Sequence, residues 1–507
     1  MPSPIPLPDA VPKPEGAAAA AAREAARLVP AEFAQRHALL PLSVHAGILR
    51  VASAAPLGPG VVDDLRLLTG LEVTVETAGH EAVTEGIAER YQVTVERMVS
   101  DLDSGSGPGI EGKNLHDIEV MANEPTVVNL VNVIISAALR ERASDIHLIP
   151  FESAVQLRYR IDGLLQEKQP PPKPLHAALV SRIKIMADMN IAERFLPQDG
   201  HIQINHRGAR VDIRVGTLPT IHGESVVMRL LEKDTRMHRP EDLGLDPERA
   251  AQLRRLTAKP HGLFLATGPT GSGKTTTLYA ILQASYTTSK KIITIEDPVE
   301  YELHGVAQIP VKPGRGFTFA TGLRAILRQD PNVVMVGEIR DAETAEIAIR
   351  AALTGHQVLS TLHTNDAAGA VTRLIDMGIE PFLVASSLDG VLAQRLVRRI
   401  CPSCRTPAPP PAAVREQFPI PDGDFWIGAG CDECRGIGYR GRVGLFELLE
   451  ITPDLRELIL QRRSSAELKA SVRGSMTSLF DDGMRKAAAG ITSLEEIVRV
   501  CSGDDTA

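Results

Sequence analysis

The run "GLFLAT", residues 262–267, passes without a break into "GPTGSGKTTT", residues 268–277. An apolar strand feeding G-x-x-x-x-G-K-T into a helix is a unit with a mechanism. Gly268 and Gly273 let backbone N–H groups close around phosphate oxygens at the positive end of a helix dipole. Lys274 places a charge on the β- and γ-phosphates, and the Thr275 hydroxyl can ligate Mg²⁺. Pro269, Thr270, Gly271, Ser272 and Thr276 complete the loop. The expected ligands are therefore ATP and Mg²⁺, and the loop requires a parallel sheet behind it.

The flanking sequence supplies that sheet. "KIITIE", "NVVMVGE" and "QVLSTLH" alternate with helical stretches, the pattern of a parallel sheet covered by helices. An ATPase also needs acids at neighbouring strand ends. "ITIEDPVEYE" ends a strand at Glu296 and Asp297, and "NVVMVGEIRD" ends one at Glu338. One such acid holds Mg²⁺ through water while the other orients the attacking water; spacing does not divide the roles. A third strand end carries His363, suited to hydrogen-bonding a γ-phosphate, with His356 just before that strand. On chemistry alone each histidine is equally well read as a packed one.

With 507 residues the chain is too long for one core. Residues 1–25 are Pro- and Ala-rich and read as a flexible tail, 26–100 as a small N-terminal α/β domain, and 101–114 as a Gly/Ser linker. Residues 115–235 mix amphipathic helices with period-2 strands, one of which, "ARVDIRV", sets Arg210, Asp212 and Arg214 opposite Val211, Ile213 and Val215. A solvated sheet face is the default reading of those charges; a functional reading needs an anion opposite them. A hinge at 236–245, an ATPase core at 246–395, a cysteine-bearing module at 396–447 and a helical region at 448–507 complete the chain.

Cys401–Cys404 and Cys431–Cys434 are two C-x-x-C pairs among five cysteines. In a reducing compartment two such turns suit a closed tetrahedral Zn²⁺ site better than disulfides. The 26 residues between Cys404 and Cys431 exceed the usual ribbon spacing, so the Pro-rich loop there must bulge. Cys501 reads as a lone helix thiol. The net charge of −8 argues against a dedicated nucleic-acid binder. No secretory signal or bilayer-length apolar run is evident, so a cytoplasmic location is expected.

In this order, "GPTGSGKTT", "TIEDPVEY", "LRQDPNVVMVGEIRD" and "ALTGHQVLSTLHTNDAAGAVTRL", with "RASDIHLIP", "RYRIDG" and "RFLPQDG" upstream, resemble the secretion ATPases of type II secretion and type IV pilus systems. The likeness is closest to the type II branch, general secretory pathway protein E. It implies a RecA-like P-loop core preceded by a PAS-like α+β domain and a small N-terminal domain, with a zinc-binding insertion. It further implies a homohexameric ATPase powering pseudopilus assembly and protein export. That motor would dock through residues 26–100 on the cytoplasmic domain of an inner-membrane linker protein and act with a polytopic inner-membrane platform protein, so its membrane association is indirect and peripheral. Carried over, Glu338 belongs to the metal–phosphate end, Glu296 aligns water, His363 contacts the γ-phosphate, and Arg210, Arg214 and Arg229 reach the phosphates from the preceding domain. A type IV pilus extension ATPase is the alternative within the family. A nucleic-acid translocase is the alternative outside it.

Overall fold

The computed structural model describes residues 37–79, 125–206, 209–232, 239–410 and 425–501, with isolated positions at 21–22, 25–26, 28–29, 33–34, 82–84, 86–87, 121–122 and 414. Most of the expected tail, the 101–114 linker, residues 236–238 of the hinge and nearly all of the Pro-rich stretch between the cysteine pairs lie outside the described residues. Two compact units are distinguished, Met1–Lys233 and Asp234–Ala507.

The first unit contains two sheets. Strands β1 (Leu39–His45), β2 (Ile48–Ser53) and β3 (Glu72–Thr77) form a three-stranded sheet, with helix α1 (Pro59–Thr69) between β2 and β3. Gly70 closes α1 in the left-handed conformation, φ 67°, as its position in the sequence predicts. After α2 (Pro125–Arg140) come β4 (Ala143–Pro150), β5 (Val155–Ile161), β6 (Leu164–Lys168), α3 (His176–Met186), β7 (Gln198–His206), β8 (Ala209–Thr220) and β9 (Gly223–Glu232). Their sheet has the order β6-β5-β4-β9-β8-β7 and is antiparallel throughout. Alternation along β8 works as read: Val211, Ile213 and Val215 are buried against α2 and α3 residues, while Asp212 and Arg214 are only partly covered.

The second unit begins with α4 (Pro247–Thr257), β10 (Gly262–Thr267), α5 (Lys274–Ser285), β11 (Ile292–Glu296), β12 (Val306–Pro310), α6 (Phe319–Ile326), β13 (Val333–Val336), α7 (Ala342–Leu353) and β14 (Gln357–Leu362). It continues with α8 (Ala367–Asp376), α9 (Pro381–Ser387), β15 (Leu388–Ile400), β16 (Arg405–Ala408), β17 (Phe425–Gly428), β18 (Tyr439–Glu450), α10 (Pro453–Leu460), α11 (Ser465–Ser471), α12 (Leu479–Ala488) and α13 (Leu494–Cys501). Seven strands build one sheet in the order β12-β11-β13-β14-β10-β15-β18, parallel except for the last pair.

Every residue of β10, β13 and β14 is buried, which is why these strands read as unbroken apolar runs. Successive side chains feed opposite cores. Leu263, Leu265, Val334 and Val336 join one, and Phe264, Ala266, Val333 and Met335 join the other. The sheet runs past residue 395: β15 carries it to Ile400, and β18 returns antiparallel to it from Tyr439. The cysteine segment is therefore inserted between the last two strands of the core sheet. Within it, β16 and β17 pair as a two-stranded ribbon, Arg405 opposite Gly428 and Ala408 opposite Phe425.

The helices after β18 are tied to this core by buried charge. Asp482 on α12 is fully buried and accepts from the Phe446 backbone N–H at 3.0 Å and from Lys486 at 2.7 Å; the Arg249 guanidinium of α4 lies 3.0 Å away. Such a cluster persists because each buried charge is matched.

Candidate functional site

The phosphate loop bridges the end of β10 and the start of α5. Gly268 has φ 142°, and a Cβ there would stand 2.4 Å from the Gln394 carbonyl oxygen, so only glycine fits. Gly271 and Gly273 also have positive φ, 79° and 90°. From β15, Gln394 Nε2 donates to the Ser272 carbonyl at 2.8 Å and braces the loop from behind. Lys274 is buried, and its Nζ donates to the carbonyls of Gly268 (2.7 Å) and Pro269 (3.0 Å). Burial lowers its pKa to about 8; Glu338 acts in the opposite sense, and Arg395 adds to the lowering. Ser272 Oγ is buried without a hydrogen-bond partner. A glycine-lined turn, a lysine folded onto loop carbonyls and an unmatched hydroxyl fit a phosphate chain. Thr275 lies half-buried in the first turn of α5, where its hydroxyl would face Mg²⁺.

Around the loop the strand order sets who stands near it. On one side β14 is the neighbour of β10, β13 is the second strand away and β11 the third; β15 flanks β10 on the other side. Thr267 at the end of β10 and Thr364 after β14 share a 2.6 Å hydroxyl contact, which fixes the His363 loop beside the phosphate loop. Thr361 Oγ1 donates to the Gly337 carbonyl at 2.7 Å, which fixes β14 to the Glu338 turn. His363 Nε2 then lies 3.2 Å from Glu338 Oε2. Arg340 pairs with the same carboxylate and reaches Asp297 at 3.9 Å. Burial works to raise the Glu338 carboxyl, but Arg340 and His363 hold it below its ordinary value. So Lys274, Glu338 and His363 form one constellation; Asp297, one of the expected strand-end acids, borders it, and Arg340 belongs to it unforeseen. The signal was present in "EIRD", where an arginine two residues from a strand-end acid can fold back on it.

Glu296 ends β11, as its strand pattern predicts, and is enclosed there. It is 3% exposed; Thr294 Oγ1 donates to it at 2.6 Å, Gln308 Nε2 at 3.1 Å, and the Tyr279 hydroxyl makes a further short bond. Its oxygens brace β11 against α5 and β12. Asp297 and Glu300, which follow Glu296, are exposed. His356 is remote from the phosphate end. Its carbonyl accepts from Gly262, at the start of β10, and its ring meets the Ala351 carbonyl at 3.1 Å, closing α7.

Of the arginines, Arg214 on β8 stands opposite Arg229 on β9. Arg229 donates to Asp145 at 3.0 Å, with Arg160 3.6 Å from the other oxygen of that carboxylate. Arg210 pairs in register with Asn205 on β7; its side chain is outside the described residues. All three belong to the first unit, whereas Lys274 belongs to the second.

The four cysteines converge. Their sulfurs all lie within 4.8 Å of one another, with Cys401–Cys431 at 3.8 Å and Cys404–Cys434 and Cys431–Cys434 at 3.7 Å. Four thiolates about 2.3 Å from one ion form a tetrahedron with edges of about 3.8 Å, so the set fits Zn²⁺. Backbone N–H groups of Cys431 and Gly438 each reach Cys434 Sγ at 3.2 Å. Burial works to raise that thiol, but these donors bring it down to about 6. Glycines make the knuckle possible: Gly430, Gly436 and Gly438 have positive φ, and Gly428 packs on the Gly438 backbone with no room for a Cβ.

Residues 121–499 match the family model described as Type II/IV secretion system protein, and residues 12–96 match the MshEN domain. Type II secretion system protein HxcR of Pseudomonas aeruginosa is 48% identical over 447 residues, 88% of this chain and 90% of that protein. Type II secretion system ATPase E of Vibrio cholerae is 49% identical over 387 residues, 76% and 77% of the two chains. Type IV pilus assembly ATPase PilB of Myxococcus xanthus is 45% identical over 488 residues, 93% and 86%. Among solved structures, the Legionella pneumophila ATPase DotB is 23% identical with a TM-score of 0.54, covering 74% of this chain and 95% of that one, a likeness of fold.

Proposed function

The chain belongs to the Type II/IV secretion system protein family, and from that membership we propose that it hydrolyses ATP as a homohexamer to power pseudopilus assembly and protein export by a type II secretion system. The observation that carries the reading is the meeting of Lys274, Glu338 and His363 at three strand ends around one glycine loop. Backbone N–H groups of residues 271–275 and Lys274 bind the phosphate chain and orient it. Thr275 and the Glu338 end would hold Mg²⁺, which would supply charge neutralisation at the phosphates. Glu338 is kept ionised by Arg340 and His363, and His363 is held in place to meet a γ-phosphate. Glu296, with the exposed Asp297 and Glu300 of the same "EDPVE" segment beside it, is the candidate to align the attacking water. Arg210, Arg214 and Arg229 are the candidates to complete the charge around the γ-phosphate once subunits assemble.

Cys401, Cys404, Cys431 and Cys434 hold a structural Zn²⁺. Residues 26–100 dock on the cytoplasmic domain of an inner-membrane linker protein, and a polytopic platform protein receives the work. No helix among the described residues is long and apolar enough to cross a membrane, which accords with peripheral attachment through a partner. The likeness to the pilus assembly ATPase of Myxococcus xanthus supports the second reading, pilus extension.

Three assays test this. Phosphate release by the purified chain, lost in Glu338→Gln while nucleotide binding and fold persist, supports the enzyme; wild-type turnover by Glu338→Gln overturns the site. In a deletion strain, lost export of proteins with surface pili intact selects secretion, and the reverse selects pilus extension. Tight, salt-sensitive DNA binding in a gel shift would instead favour a nucleic-acid translocase.

A further inference from the structure

Along β18, Leu445 and Leu449 join the core shared with α8, α11 and α12, whereas Phe446 and Leu448 join the opposite one. Glu447 lies between the two leucines and takes their side, where the alternation calls for an apolar residue. It stands opposite Ala393 of β15 and is 3% exposed. A carboxylate in such a place costs stability unless it accepts hydrogen bonds there. Glu447 Oε1 accepts from the Ala367 N–H at 2.9 Å. Ala367 is the first residue of α8 and follows His363 by four positions.

The amino end of α8 is held from further sides. Asp366, its cap, accepts from the Gly369 N–H at 2.6 Å and pairs with Lys469 of α11 at 2.8 Å. Before it, Thr364 donates its N–H to the Thr267 hydroxyl at the end of β10, at 2.9 Å. The loop that carries His363 thus leaves β14, is caught by β10, and ends on a helix whose first N–H is anchored to β18. His363 itself is exposed, its ring meeting Glu338 at 3.2 Å, so its reach depends on how that short loop is held at each end. A group that meets a reacting phosphate must be placed to within a fraction of an ångström. We propose that Glu447 is a positioning residue: by holding the first N–H of α8 from β18, it sets where the His363 ring meets the γ-phosphate.

The proposal rests on the ATP-hydrolase reading, and a mutant cycle separates the two. The full chain is titrated with Mg²⁺ and either a non-hydrolysable ATP analogue or ADP, as wild type, Glu447→Ala, His363→Ala and the double variant. Loss of one hydrogen bond to the last phosphate weakens the ATP analogue about threefold to tenfold in Glu447→Ala, with ADP affinity little changed, and kcat for phosphate release falls with it. In the His363→Ala background the same change leaves the preference for the ATP analogue over ADP unmoved, because the group it positions is gone. Glu447→Gln keeps an acceptor for the Ala367 N–H and recovers most of the preference. An unmoved preference in Glu447→Ala, whatever its unfolding midpoint, or an equal loss in both backgrounds, would overturn the proposal. Where Glu447→Ala does not fold, Glu447→Asp, shorter by one methylene, decides by the same cycle: a preference lowered only where His363 is present supports it, and any other result refutes it. A wild-type chain that binds neither nucleotide, or releases no phosphate, refutes the ATP reading itself.

Discussion

Nucleotide affinity should fall as pH rises through 8, because Lys274 must be charged to meet phosphate and its buried site holds the pKa at about 8. The sign follows from linkage. Bound phosphates favour the ammonium, so the complex keeps its proton above the pH at which the free site has lost it, and binding there takes up a proton. A group with a pKa of 8 is about 90% protonated at pH 7 and about 10% protonated at pH 9, so affinity drops roughly tenfold between them. Below pH 7 Lys274 contributes no further gain. Glu338→Gln removes the influence that raises the Lys274 pKa, so the break should move to lower pH in that variant. Both curves come from equilibrium titration of a fluorescent ATP analogue at fixed ionic strength and Mg²⁺, from pH 6.5 to 9.5. Constant affinity from pH 7 to 9, or an unmoved break in Glu338→Gln, would refute the argument that a desolvated Lys274 is the binding cation.

Glu296→Gln weakens the contacts with Tyr279, Thr294 and Gln308. It should lower stability by about 1–3 kcal/mol and leave nucleotide affinity near wild type; lost turnover at an unchanged unfolding midpoint would place Glu296 in the chemistry. Elemental analysis of protein purified without chelator should find about one zinc per chain, and Cys431→Ser should lose the metal while still binding nucleotide; a metal-free wild type rules the site out. Asp482→Ala strands the buried Arg249 and Lys486 and should cost about 3–5 kcal/mol in denaturant unfolding, whereas an unshifted midpoint would mean that α12 is held by packing alone.

The phosphate loop and its strand–helix alternation were legible because both are local: glycine φ, a lysine at fixed offset and apolar runs of strand length. The cysteine pairs were legible for the same reason. Sheet order was not, since which strands become neighbours depends on contacts distant in sequence. That is why Glu296 and Glu338 read alike in the chain but follow the third and the second strand from β10, the first sealed and the second half-buried. His356 and His363 were likewise equivalent in sequence, and the direction of β14 separated them to opposite edges. Arg340 is legible only as an arginine near a strand-end acid, because its partner is set by a turn. The β16–β17 ribbon was missed because each strand is four residues long and neither alternates clearly.

β15 has a mechanical consequence. It leaves β10 after Ala393, with Gln394 against the phosphate loop, and runs on, laddered only to β18, until Cys401 enters the cysteine knuckle. Those seven residues span about 23 Å of extended chain. An extended backbone has almost no slack along its axis, since bond lengths and planar peptides resist stretching. Cys401 is pinned in turn by the Gly438 carbonyl, and Ile400 by that of Ile491. A strand so anchored at both ends ties the phosphate loop to the knuckle through one continuous backbone, its ladder to β18 shifting register once, between Arg398 and Ile400.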